Sequence, residues 1–135
     1  MDTAGQVVEY LWQCGVFFLA TARGMRPRVR PMDGVCEYKG NLCFSVLKDS
    51  ELYQDLLMNR HAEISAMHPD KTWISIRGDL EETSDPDALS AMLQTCRNNI
   101  DNMHRFCDAA PAIFLLKNGT VRHFGNTGLR RESSL

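Results

Sequence analysis

Val16-Phe17-Phe18-Leu19-Ala20-Thr21-Ala22-Arg23-Gly24-Met25-Arg26-Pro27-Arg28-Val29-Arg30-Pro31-Met32 is the stretch on which the fold of this chain turns. Its first residues form an apolar run, rich in the branched and aromatic types that suit a strand. Arg23 to Pro27 breaks that run, with Gly24 and Pro27 as turn punctuation. Arg28 to Met32 is extended again, with Arg28, Arg30 and Met32 on one face and Val29 and Pro31 on the other. Two guanidinium groups aimed the same way call for an anion or a carboxylate to receive them, and Arg grips phosphate through a forked pair of charged hydrogen bonds. A solvated edge-strand face, with Pro31 guarding against edge-to-edge pairing, accounts for the same residues.

Working outward, 135 residues with 44% hydrophobic and 24% charged side chains are ordinary for one globular domain. Residues 1–125 read as that domain and 126–135 as a polar, loose tail. A formal net charge of −2 provides no field for nucleic acid or an anionic membrane. No apolar run approaches the ~20 residues that span a bilayer. Met1 to Gln6 lacks the pattern of a secretory signal, and five Cys without a CxxC read as reduced thiols, so a cytoplasmic protein is expected.

Upstream of the opening stretch, Thr3 caps a helix over residues 3–14 whose apolar stripe is Val7, Val8, Leu11 and Trp12, with Gly15 at its end. Downstream, the second strand is expected to run on through Gly34 to Glu37. A turn at Tyr38 to Asn41 then leads into Leu42 to Val46 and sets Cys36 opposite Cys43. Two buried core thiols or a redox pair fit that placement. A helix follows from Asp49 or Ser50 to Asn59, then strands at residues 62–67 and 72–82, the latter interrupted at Gly78 by a bulge or a close backbone approach. Asp85-Pro86 opens a helix that can persist in pieces to Phe106. Ala112 to Lys117 and Thr120 to Phe124 are expected to pair as a hairpin about Asn118-Gly119. Antiparallel strands with helices at the periphery suggest a barrel.

The spacing of chemical groups is mostly negative. His104 and Cys107, three apart, are two ligands short of a metal site, so none is expected. No glycine-rich phosphate loop and no nucleophile elbow occurs. Trp73 and Arg77 on one strand face could hold a planar anion, or be a core Trp beside an exposed Arg.

The succession FFLAT, turn, PRVRP, EYKGNLCFSV, a helix with YQDLLMN, HAEISAM, DKTWISIRGDLEE and finally FLLKNGTVRHF resembles the pyridoxamine 5′-phosphate oxidase-like split-barrel flavoproteins. Within them it is most similar to the short, nitroimidazole reductase-like members. The resemblance spans residues 7–124 and rests on the order of elements, not on one motif. It implies an α+β fold, mainly β, with a six-stranded antiparallel split β-barrel. It also implies a homodimer holding FMN at its interface and acting as an oxidoreductase on a small molecule. By the same resemblance, Arg28 faces the FMN phosphate and Val29, Arg30, Pro31 and Met32 border the isoalloxazine ring. Ser45, Lys48 and Ser50 stand near the phosphate, and Trp73, from its own strand face, completes the expected cofactor-binding set. No catalytic acid or base is assigned. Where relatives start the following helix with Lys or Arg, this chain has Ser50 or Glu51. That departure supports two alternatives: a split barrel holding haem or another flavin, and a cofactor-free structural or regulatory dimer.

Overall fold

The computed structural model describes residues 2–98 and 111–135. Helix α1 (Ala4–Cys14) leads into strands β1 (Phe17–Arg23), β2 (Arg26–Met32), β3 (Val35–Tyr38) and β4 (Asn41–Val46). Helix α2 (Glu51–Met58) precedes β5 (His61–Met67) and β6 (Trp73–Thr83). Helix α3 (Pro86–Asn98), β7 (Ala112–Gly125) and β8 (Gly128–Ser134) follow. Local chemistry sets the helix starts as expected. Thr3 and Gln6 form a reciprocal capping box, and Ser50 accepts from Tyr53 N–H at the head of α2. Gly15, at φ 85°, ends α1.

The strands form one antiparallel sheet in the order β2-β1-β5-β6-β7-β4-β3, with β8 added to β7. Strands β2 and β3 occupy opposite edges, yet only Asp33 and Gly34 separate them in sequence. Three Cα steps reach about 10 Å at most, so the two edges must approach there and the sheet must curl. It curls into a barrel that stays split between β2 and β3. Leu19, Ile64, Ile76 and Val121 lie side by side across four strands, all buried. Phe17 of β1 meets Phe44 of β4 edge-on across the interior, with ring centroids 5.8 Å apart.

Four expectations are corrected. The strand drawn through Met32 to Glu37 is two strands. Asp33 and Gly34 carry the chain from β2 at one edge of the sheet to β3 at the other, so Met32 and Val35, both buried, belong to different strands. Asn118-Gly119 is not a hairpin turn but a bulge within the 14-residue β7. Arg77 pairs with Thr120 and Asp79 with Lys117, so two residues of β7 face Gly78 alone. Asn118 takes the left-handed φ of 55° that the bulge requires. Gly78 stands opposite the bulge and is the close approach, because a Cβ there would lie 2.8 Å from the Lys117 carbonyl oxygen.

The tail expected to be loose is β8. The ladder of β4 along β7 ends at Leu115, and β8 takes the edge left open from Thr120 to Gly125. Asp2, buried at the start of the chain, secures it by accepting from Arg131 at 3.0 Å and from Ser133. With β3 separate from β2 and the tail paired, the strands number eight against the six expected. The metal candidates His104 and Cys107, and the helix extension to Phe106, lie outside the described residues. Among the described residues no helix is long and apolar enough to cross a membrane, and no group of three or more His, Cys, Asp or Glu is placed to hold a metal.

Candidate functional site

Strand β2 is an edge strand, and Pro27 and Pro31, an even number apart, both turn their missing N–H to the open side. Its period puts Val29 and Pro31 on the outer face beside Ala20 and Phe18. Arg28 and Arg30 pair instead with Thr21 and Leu19, on the side that α2 covers. The two arginines are half-buried, not an open solvated face. They converge with Arg23 of β1 on the fully buried carboxylate of Asp55, on α2.

Arg23 Nε donates to Asp55 Oδ1 at 2.7 Å. Oδ2 accepts from Arg30 Nη2 at 3.1 Å and from Thr21 Oγ1 at 3.2 Å, and it lies 3.4 Å from Arg28 Nε. Arg30 also donates to Thr21 Oγ1 at 2.7 Å. Burial would by itself raise the Asp55 carboxyl. The hydrogen bond and charge of Arg23, the charge of Arg28 and the hydrogen bond of Arg30 outweigh it, and the carboxyl is held below its ordinary range. Arg28 has a second carboxylate partner, Glu51, the first residue of α2, whose side chain is 71% exposed.

Beside this cluster lies a cleft of about 360 Å³. Arg30, Pro31 and Met32 of β2 form one wall, and Val46, Leu47, Ser50, Glu51 and Leu52 form the other. It is apolar along its length and carries polar and charged groups where α2 begins. A wider groove of about 580 Å³ crosses the β7 bulge over Ala20, Ala22, Ala62 and Gly78. At its rim His61 Nδ1 meets Asp79 Oδ1 at 2.6 Å.

Of the nine cofactor-binding residues expected from sequence, Arg30, Pro31, Met32 and Ser50 line the cleft, and Arg28 stands in the adjoining ion cluster. The other four stand elsewhere. Val29 points outward, 69% exposed. Ser45 is fully buried on β4, its Oγ without a hydrogen-bond partner among the described residues. Lys48 lines a different cavity, with Glu82 and Asp85. Trp73 stacks on Phe124 with ring centroids 3.9 Å apart. Sequence reasoning missed Thr21, Arg23 and Asp55. The available signal was an Asp set between Leu52 and Leu56 on the one buried face of a short helix.

This architecture is similar to that of a NimC/NimA family protein from Clostridium acetobutylicum. The identity is 27%, covering 96% of this chain and 90% of that one, at a TM-score of 0.83. It is also similar to a protein assigned as a pyridoxamine 5′-phosphate oxidase from Listeria innocua, at 14% identity over 98% and 97% of the two chains and a TM-score of 0.63. These likenesses are consistent with the pyridoxamine 5′-phosphate oxidase-like split-barrel family, whose fold this chain shares. A haem-binding protein from Mycobacterium smegmatis matches at 17% identity over 100% of this chain and 58% of that one, with a TM-score of 0.68. No family model and no curated protein matches the sequence.

Proposed function

We propose that this split barrel binds FMN in the cleft between β2 and α2 and serves in the cytoplasm as a flavin-dependent oxidoreductase for a small molecule. The observation that carries this reading is the cleft itself, a narrow apolar slot that ends at guanidinium groups and a helix start. FMN has the same two-part chemistry, a flat apolar ring and a dianionic phosphate. Arg28 and Arg30, with the N–H groups that open α2, suit the phosphate. Pro31, Met32, Leu47 and Leu52 suit the ring by excluding water from it. When bound, the flavin supplies the redox chemistry, while these residues supply binding and orientation. No side chain in the cleft is assigned as a catalytic acid or base.

The functional unit in this reading is a homodimer. Val16, Phe18, Val29 and Met67 are exposed on the outer sheet face, at 46%, 49%, 69% and 61%. The stacked Trp73–Phe124 pair continues that face. A second copy covering it is expected to bury more than the ~1,000 Å² that marks a biological contact. A monomer mass by light scattering at micromolar concentration would refute the dimer.

A second reading, a haem or a different flavin in the same fold, is favoured by Glu51, which puts a carboxylate on the arginine that a phosphate would use. The visible spectrum of protein purified without added cofactor separates haem from flavin. A single intense Soret band supports haem, and with the two-banded absorption of an oxidised flavin the mass of the released cofactor tells FMN from another flavin.

A further inference from the structure

We infer that Glu51 is a resident counter-ion for Arg28, and that it sets how strongly this site prefers a phosphorylated ligand over an unphosphorylated one. The inference rests on the flavin reading for its ligand, though not for its geometry. Three guanidinium groups, Arg23, Arg28 and Arg30, face two carboxylates, Asp55 and Glu51. The two carboxylates are not equivalent. Asp55 is fully buried, takes hydrogen bonds from Arg23, Arg30 and Thr21, and is fixed in the fold.

Glu51 is largely exposed and, among the described residues, its ionic partner is Arg28, so it can swing into water without opening the core. As the first residue of α2, it also takes the place where the helix dipole favours an anion. Glu51 lines the cleft as well. A phosphate entering at the α2 end therefore meets Arg28 already neutralised, and its binding is the exchange of one anion for another. A ligand with an uncharged tail displaces nothing. Glu51 thus lowers affinity for the dianion selectively and narrows the gap between FMN and riboflavin.

The test uses the full chain with Glu51→Gln and Glu51→Lys, neither of which disturbs a buried contact. FMN and riboflavin are titrated by fluorescence quenching, and inorganic phosphate by its effect on the melting temperature. The expected order of FMN affinity is Lys over Gln over Glu. Glu51→Gln should tighten FMN by about tenfold, the low end for a charged hydrogen bond because the group is exposed. Riboflavin affinity should stay within about twofold, and phosphate should raise the melting temperature of Glu51→Gln more than that of the wild type. Equal effects on FMN and riboflavin, or an identical phosphate response in both proteins, would overturn the role of Glu51. If no flavin binds any variant but the phosphate responses still differ, the flavin reading fails while the counter-ion role stands.

Discussion

Replacing Asp55 by Asn changes one atom and removes the only fully buried charge in the ion cluster. The carboxylate accepts at both oxygens, Oδ1 from Arg23 and Oδ2 from Arg30 and Thr21, with Arg28 beside it. An amide in that place must turn its NH₂ toward one set of donors, whichever way it is flipped. Removing one partner of a buried ion pair typically costs 3–5 kcal/mol. Because Arg23, Arg28 and Arg30 keep 38%, 23% and 21% of their side chains in water, the lower end applies. About 3 kcal/mol corresponds to a drop in melting temperature of roughly 10 °C for a domain of this size. The pH dependence has a definite sign. The folded-state pKa of Asp55 lies below its unfolded value, so its contribution is fully present above about pH 4 and is lost as pH falls through the lowered pKa. Thermal unfolding of wild type and Asp55→Asn should therefore differ at neutral pH and converge in acid. Melting temperatures within 1–2 °C of each other at pH 7, on the order of measurement scatter, would refute the reasoning.

Arg28→Ala should weaken FMN by about tenfold to a few hundredfold and leave riboflavin nearly unchanged, as read by fluorescence quenching. Gly78→Ala places a methyl group 2.8 Å from the Lys117 carbonyl oxygen and 3.2 Å from the Gly119 Cα, both backbone atoms. It should cost about 1–3 kcal/mol in denaturant unfolding, and a neutral result would mean that the bulge is looser than described. Burial tends to raise the Asp2 carboxyl, but Ser133, Arg131 and His123 together bring it below its ordinary range. Asp2→Asn should therefore release β8, seen as lost hydrogen-exchange protection from Gly128 to Ser134 with β5 and β6 unaffected. In the wild type the same loosening should appear only as pH falls through the lowered pKa.

The period of Arg28, Val29 and Arg30 made the arginine face legible, because alternation along a strand needs no tertiary information. What received that face was not legible. An Asp on a short helix ordinarily faces water, and only the buried company of Leu52 and Leu56 distinguishes Asp55. One of the misread connections is a change of parity, since Leu116 and Val121 mark the bulge as buried residues an odd number apart. Another is the jump between sheet edges at Asp33 and Gly34, which puts Met32 and Val35 on different strands. Strand β8 could not be read from its own polar residues. Its place depends on where β4 stops along β7 and on Asp2, at the other end of the chain. Trp73 shows the reverse case, a residue whose type suited a ring-binding site but whose neighbour is Phe124.

The central claim is that the cleft between β2 and α2 holds the flavin, with its phosphate toward Arg28. A crystal structure of the protein grown with saturating FMN tests that claim most directly. Density for the ring is expected against Pro31, Met32, Leu47 and Leu52, with the phosphate on Arg28 and the start of α2 and the Glu51 side chain turned away. Flavin density in the groove over Ala20 and Gly78, or a cleft that stays empty at saturation, would contradict it.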